Sequence, residues 1–299
     1  MSVAAVVVSY NRRELLRKCL SAVLSQSHAP DEVILVDNGS TDGAVDMVRE
    51  EFPSVRVFET GENLGGAGGF AWGLELAIAA GHEFAWLMDD DAEPVKDSLA
   101  PLVAVYANAD QRPAFAAPIV DDFEGHANGG HVHEIDLDAS KQLIANQLGC
   151  IAIDHATFIG VLIDLTQARS VPLPRADFFI WFDDVEYTRG LGHSTYGVCV
   201  PSSRIMHPVK SATNPDMGGR LFYFVRNRLW LARLNPGRRG VPDSVPYVAL
   251  ELFAYALLKQ LPHAKDKALW ARSLGRGLTQ GFLRTPRSVM PGELLSTRS

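Results

Sequence analysis

The chain has 299 residues, 47% of them hydrophobic and 21% charged, with a formal net charge of −7. Such a composition buries a sizeable core and excludes a disordered, fibrous or collagen-like protein. The charge is uneven: residues 220–299 carry 14 Lys and Arg against 4 Asp and Glu, leaving 14 against 31 in residues 1–219.

No stretch reaches the ~18–20 apolar residues of a spanning helix, so the basic, apolar C-terminal region is expected to lie on an anionic membrane surface rather than to cross it. Because the basic region also carries apolar, aromatic-rich stretches, no nucleic-acid partner is expected. Cys19, Cys150 and Cys199 are odd in number and far apart, which argues against a disulfide framework or a zinc motif and fits a reducing cytosol. Met1 leads directly into strand-like residues, without the charged and small-residue flanks of a secretion signal, so secretion is not expected.

Residues 4–8 read as a fully buried strand and 13–26 as an amphipathic helix with Leu15, Leu16, Leu20, Val23 and Leu24 inward. A second strand follows at 32–37, then a polar turn at 38–43 and a helix near 44–51. Residues 55–59 give a third strand, 70–80 a helix and 84–88 a fourth strand. Strands and helices alternating at this length predict an α/β fold with a mostly parallel sheet covered on both faces, and ligands at the carboxyl ends of its strands. Beyond residue 91 the pattern loosens. Residues 121–143 look like a long surface segment, 158–163 an apolar stretch, and 198–206 a short strand pair closed by His207-Pro208. From Leu221 the pattern is helical, and 247–261 and 268–282 are apolar helices edged with Lys and Arg, able to lie in a membrane interface or to pack on protein. A boundary is expected near 211–219.

The acidic run Asp89-Asp90-Asp91 follows the apolar Phe84-Ala85-Trp86-Leu87-Met88. Carboxylates stacked at the end of a buried strand repel, and hard oxygen ligands suit Mg²⁺ or Mn²⁺. The same run also reads as a solvated turn before a helix capped by Asp97 or Ser98. Asn63-Leu64-Gly65-Gly66-Ala67-Gly68-Gly69-Phe70 is a glycine-rich turn opening a helix, a place where backbone N–H groups favour anions. Gly66-x-Gly68-x-x-Ala71 matches a degenerate dinucleotide fingerprint, but two strand–helix units precede it and three carboxylates are superfluous for one ribose.

Val-Ser-Tyr-Asn-Arg at 8–12, Val-Asp-Asn-Gly-Ser-Thr-Asp at 36–42, the glycine-rich segment, the acidic run and Phe-Phe-Ile-Trp-Phe-Asp-Asp-Val-Glu-Tyr at 178–187 together resemble the family-2 inverting glycosyltransferases of the GT-A fold. Residues 63–70, 86–91, 179–187 and Tyr223-x-x-Arg226-Asn227-Arg228 look most like the actinobacterial galactofuranosyltransferases that start or extend cell-wall galactan.

The resemblance implies a nucleotide-binding catalytic domain at 1–215 and a helical, basic region at 216–299 for membrane and acceptor. It implies Ser9, Asn11 and Asp37 around uridine, and Asn63, Gly65, Gly66, Asp89 and Asp90 on the donor. Asp89, Asp91 and His207 would hold Mn²⁺ or Mg²⁺, and Asp184 would be the general base. Trp181, Asp183, Glu186, Arg226 and Asn227 would meet the acceptor, although the acids also suit the first turn of a helix and Trp181 and Phe182 could pack in the core.

The implied reaction moves galactofuranose from UDP-galactofuranose to a polyprenyl-diphosphate-linked glycan, initiating galactan. A dTDP-rhamnose-dependent rhamnosyltransferase on a lipid-linked acceptor is the enzyme alternative. An inactive nucleotide-sugar-binding scaffold is the non-enzyme one, against which the intact Asp91, Asp184 and His207 argue. The implied location is the cytoplasm, peripheral to the inner face of the membrane, with a homo-oligomer left open.

Overall fold

The computed structural model describes residues 1–209, 216–234 and 244–297. The first half alternates as the pattern predicts: β1 (Val3–Ser9), α1 (Arg13–Leu24), β2 (Glu32–Asp37), α2 (Ala44–Glu51), β3 (Arg56–Glu59), α3 (Gly65–Ala79) and β4 (Phe84–Asp89). Every residue of β1 is buried, and because side chains alternate along a strand its two faces feed two cores. Val3, Ala5 and Val7 join Leu16 and Leu20 of α1 and Met47 of α2, while Ala4, Val6 and Val8 join Phe70 and Leu74 of α3. Helix α1 supplies Leu16, Cys19, Leu20 and Val23, a spacing that puts one stripe on the sheet.

Then come β5 (Glu93–Pro94), α4 (Leu99–Asn108), β6 (Phe115–Asp121), α5 (Ala139–Gln147), β7 (Ile151–Ile153), β8 (Val161–Asp164), α6 (Leu165–Ala168), α7 (Asp183–Leu191) and β9 (Gly197–Met206). Over the described residues the sheet runs β3-β2-β1-β4-β8-β6-β9-β5, with β7 also paired to β9. Strands β1 to β4 are mutually parallel, β8 is antiparallel to both β4 and β6, and β6 and β9 are parallel.

Several expectations are corrected here. Residues 197–206 form one long strand, not a pair, because β9 is shared among β5, β6 and β7. Helix α3 begins at Gly65 instead of 70, so the glycine-rich segment is helical. A Cβ at Gly69 or Gly73 would lie 2.4 Å from Val8 Cγ1 or 2.2 Å from Val6 Cγ1, so these two glycines serve the close approach of α3 to β1. Within the expected surface segment, 122–138 is irregular, whereas α5 is a capped helix whose Asp138 carboxylate accepts the N–H groups of Ser140 and Lys141.

C-terminal helices α8 (Leu221–Leu234), α9 (Val245–Tyr255), α10 (Lys267–Leu283) and α11 (Glu293–Ser296) follow, with a π-helical turn at Ala256–Gln260. Leu221, Val225, Leu229, Val248, Leu252 and Leu274 give them a core of their own. Helix α10 crosses close to α8 because a Cβ at Gly281 would sit 2.6 Å from Leu229 Cδ1. The chain then returns across the sheet domain: Leu173 N–H donates to Val289 O at 2.9 Å, and the N–H groups of Gly292 and Leu295 donate to the buried Glu75 carboxylate on α3. The boundary expected at 215/216 adjoins residues 210–215, which lie outside the described residues.

Candidate active site

A cavity of about 1080 Å³ opens at the carboxyl ends of β1 and β4. Its wall takes in most of the residues singled out in the sequence: Ser9, Asn63, Gly65, Gly66, Asp89, Asp90, Asp91, Trp181, Asp183, Asp184 and His207. Asn11, Asp37, Glu186, Arg226 and Asn227 are not among its lining residues.

The acidic run divides by function. Asp90 is tied into the end of β1: its Oδ2 accepts the Ser9 hydroxyl at 2.8 Å and the Tyr10 N–H at 3.3 Å, and its Oδ1 accepts Arg12 Nη1 at 3.2 Å. Burial lifts its pKa to about 6, with Arg12 and Ser9 opposing. Its carboxylate is thus engaged in joining two strand ends. Arg12 also pairs with Asp91 at 2.5 Å; it stands in the Val-Ser-Tyr-Asn-Arg motif, but a cation on the acidic run was not foreseen.

Asp89 is pushed well above the ordinary carboxylate range by burial and by Asp91, Asp90 and Asp183. Asp91 goes the other way, since His207 and Arg12 outweigh the cost of its burial. His207 arrives at the end of β9, where its N–H donates to Asp121 O at 2.9 Å and its carbonyl accepts Asn128 Nδ2 at 3.1 Å. This places its Nε2 3.1 Å from Asp91 Oδ1. One ligand atom from each of Asp89, Asp91 and His207 lies within 4.8 Å of the others. Two carboxylates and an imidazole, crowded so that the acids repel, fit a hard divalent cation.

The segment leading into α7 lines the same cavity. Phe179, Trp181 and Phe182 have φ of 64°, 67° and 68°, a left-handed backbone that costs of order 1–3 kcal/mol per non-glycine residue. The surroundings hold it there. Asn227 Nδ2 donates to the carbonyls of Phe178 and Ile180 at 2.8 Å each and of Trp181 at 3.1 Å, and Arg226 Nη2 donates to Phe178 O at 3.2 Å. Arg226 and Asn227, expected at the acceptor, are therefore buried supports of this loop. Gly65, at φ 70°, is needed beneath it, since a Cβ would sit 2.0 Å from Phe179 O.

The loop delivers Trp181 to the cavity and starts α7 at Asp183 and Asp184. Asp183 is buried and its carboxyl is raised, by desolvation first and the Asp184 charge second. Asp184 is half-buried, and its Oδ1 accepts the Val185 N–H at 2.8 Å.

Other residues expected at the site also make contacts within the protein. Glu186 pairs with Arg175 at 3.0 Å, and Arg175 Nη1 reaches Arg287 O at 3.2 Å, tying α7 to the C-terminal segment. Asn11 is exposed and clamps the following turn: its Oδ1 accepts Thr41 N–H at 2.7 Å and its N–H donates to Ser40 Oγ at 2.9 Å. Asp37 is buried; its Oδ2 accepts the N–H groups of Gly39 and Ser40, and its Oδ1 has no hydrogen-bond partner among the described residues; the cavity wall beside it is Asn38. The N–H of Gly65 donates to Asn63 Oδ1 at 2.8 Å and that of Ala67 to Phe179 O at 3.4 Å, so these two donors are spent within the protein and not held out to an anion. The sequence reading also missed Arg220, Lys259 and His263, which line the cavity from the C-terminal side; nothing local distinguishes them from other basic residues in that region.

Residues 4–161 match the family described as Glycosyl transferase family 2. The chain is 32% identical over 264 residues to galactofuranosyltransferase GlfT1 of Mycolicibacterium smegmatis, covering 79% of this chain and 84% of that one. It is 29% identical over 308 residues to GlfT1 of Mycobacterium tuberculosis, covering 92% and 95%. An N-acetylglucosaminyl-diphospho-decaprenol L-rhamnosyltransferase of M. tuberculosis is more distant, at 24% over 252 residues, 72% of this chain and 79% of that one. Among solved structures, mannosyltransferase PcManGT from Pyrobaculum calidifontis in complex with GDP-Man and Mn²⁺ shares the fold with a TM-score of 0.58 at 20% identity, covering 99% of this chain and 79% of that one.

Proposed function

Because the chain belongs to glycosyl transferase family 2, has the GT-A fold and is a glycosyltransferase, we propose that it moves galactofuranose from UDP-galactofuranose onto a polyprenyl-diphosphate-linked glycan, beginning a cell-wall galactan. One observation carries the reading: in a chain related to GlfT1 along most of its length, the metal-competent trio Asp89, Asp91 and His207 and the pair Asp183 and Asp184 line one cavity.

Asp184 is the general base. It takes the proton of the acceptor hydroxyl as that oxygen bonds to the anomeric carbon, while the bond from that carbon to UDP breaks on the opposite face and the configuration inverts. The raised Asp183 keeps its proton, which lessens the repulsion a second carboxylate beside Asp184 would create. Trp181 offers the acceptor sugar an apolar face. Asp89, Asp91 and His207 would hold Mn²⁺ or Mg²⁺, whose chemistry when bound is to neutralise the departing diphosphate. Ser9, Asn38, Asn63 and Gly66 remain on the wall where the nucleotide would lie.

Since Asp89 is raised, a cation must displace its proton, so Mn²⁺ affinity should rise with pH. Between pH 6 and 8 calorimetry should show tighter Mn²⁺ binding, by up to about tenfold per pH unit for each proton released, and an enthalpy that depends on the buffer's ionisation heat. A flat affinity with a buffer-independent enthalpy would refute it.

We extend the reading to a division of labour, with residues 1–215 holding the donor and 216–299 facing acceptor and membrane at the cytoplasmic side. No described helix is long and apolar enough to cross a membrane. Yet Tyr247, Leu250, Phe253, Leu258, Phe282 and Leu283 are exposed on the basic helical region, a combination that suits an anionic interface. Leu250→Asp with Phe253→Asp should abolish sedimentation with phosphatidylglycerol vesicles while leaving UDP binding intact; unchanged sedimentation would remove the membrane contact.

The whole reading is tested by a donor screen with Mn²⁺ or Mg²⁺ and a synthetic lipid-linked disaccharide, read by mass spectrometry. Product from UDP-galactofuranose alone is expected. Product from dTDP-rhamnose instead would follow the more distant relative, and UDP binding without turnover of any donor would mark a scaffold.

A further inference from the structure

The cavity is lined by groups of both charges. Asp89, Asp90, Asp91, Asp183 and Asp184, at the end of β4 and the start of α7, make its acidic part, and Arg220, Lys259 and His263, from the C-terminal helical region, make a basic part. These three cations come from three short irregular elements of the helical region: Arg220 from the 3₁₀ turn Gly218–Arg220, Lys259 from the π-helical turn Ala256–Gln260, and His263 from the 3₁₀ turn Leu261–His263. A π turn is rare and recurs at functional sites.

All three side chains are exposed. Among the described residues they form no ion pair, in contrast to Arg12, which bridges Asp90 and Asp91. The carboxylate that the same region brings to the cavity wall, Asp216, is occupied by the N–H groups of Gly218 at 2.9 Å and Lys265 at 3.1 Å. The Arg220 guanidinium lies 5.8 Å from the Trp181 ring centroid, so the basic part touches the aromatic residue two positions before Asp183. Leu258, next to Lys259, is 73% exposed, and Phe253 and Leu250 are exposed on the preceding helix.

We propose that Arg220, Lys259 and His263 form a diphosphate subsite for a prenyl-linked acceptor. Its glycan lies against Trp181 and reaches Asp184, and its prenyl chain leaves over Leu258 and Phe253. The donor's own diphosphate belongs with Asp89, Asp91 and His207, which would hold a cation for it, so the basic part is left for a second anion. An apolar exit beside that anion selects a lipid diphosphate over a free one. The assignment rests on the acceptor class proposed above.

Farnesyl diphosphate is the probe, titrated by calorimetry into the full chain saturated with UDP and Mn²⁺ so that the donor side is filled. Wild-type protein should bind it. Arg220→Gln with Lys259→Gln should weaken binding at least tenfold, and His263→Gln about threefold, while UDP affinity, measured separately, stays unchanged and certifies the fold. Inorganic diphosphate serves as competitor, and sedimentation with phosphatidylglycerol vesicles is measured for the Arg220→Gln, Lys259→Gln variant. Weak competition and unchanged sedimentation are expected; competition by diphosphate as strong as by the farnesyl compound, or loss of sedimentation in the variant, would assign the cations to a free anion or to the membrane surface and overturn the proposal. No binding by the wild type, or equal binding by the variants, would overturn it too. Failure of the donor assignment alone shows differently: farnesyl diphosphate still binds with the stated variant effects, but no galactofuranose is transferred.

Discussion

Asp184→Asn is expected to lower kcat for sugar transfer about 10³- to 10⁴-fold, with UDP and Mn²⁺ binding as in the wild type. The magnitude is that of a missing general base at the upper end of its usual range. Asparagine keeps the shape and retains an oxygen for the Val185 N–H that Oδ1 accepts at 2.8 Å, so the start of α7 stays in place and only the proton acceptor is lost. Asp183→Asn gives the comparison. Burial and the neighbouring charge hold Asp183 protonated, so the amide replaces a neutral carboxyl and transfer should fall by no more than about tenfold on that account. Full-length product measured with both variants decides the matter: retained transfer in Asp184→Asn, with loss in Asp183→Asn, would exchange their roles.

Asn227→Ala should also impair transfer, less severely, although its side chain is absent from the cavity wall. Asn227 is completely buried, and its amide holds three carbonyls of the loop with three left-handed residues. Losing the amide takes a donor from the carbonyls of Ile180 and Trp181, at about 1–3 kcal/mol each where water cannot replace it, while Phe178 O keeps Arg226, and it frees a backbone that is costly in its present form. Trp181, Asp183 and Asp184 then lose their placement, and a displacement of about 1 Å is enough for roughly a 10²-fold loss of kcat. Donor affinity should hold, because Ser9, Asn38 and Asn63 sit on other elements. The melting temperature should drop by several degrees. A variant with wild-type kcat would show that the loop is fixed by its aromatic contacts, such as Phe179 on Tyr223 with ring centroids 5.1 Å apart, and not by the amide. The same support explains why α8 belongs with the sheet domain: Trp230 packs on Phe178 with ring centroids 5.5 Å apart, and its Nε1 donates to Arg284 O at 3.0 Å.

What could be read from the chain alone was local. Strands at 3–9, 32–37 and 84–89 announce themselves by uninterrupted apolar runs, since strands buried on both faces leave no polar alternation. Strand β6 was overlooked because Pro118 interrupts it, and that proline falls where the β6–β9 register shifts, a position that tolerates a missing donor. Helix α4 carries Pro101 in its first turn, where no intrahelical N–H bond is lost.

The acidic run and the Asp183–Asp184 pair were legible because clustered carboxylates are conspicuous in any sequence and need compensation wherever they fold. Partners were not legible. Arg226 and Asn227 belong to a motif that suggests contact with substrate, yet their hydrogen bonds run to carbonyls 46 to 49 positions earlier. Asn11 and Asp37 stand in the nucleotide motif, and the Oδ1 of Asn11 and the Oδ2 of Asp37 accept N–H groups of the turn at 39–41. The sequence by itself therefore determined the α/β order, the family and the acids at the strand ends, because periodicity and charge crowding act between near neighbours. Only the tertiary structure decided which of those polar groups face the cavity and which hold its walls, because a hydrogen bond to a distant carbonyl leaves no mark on the sequence around either end.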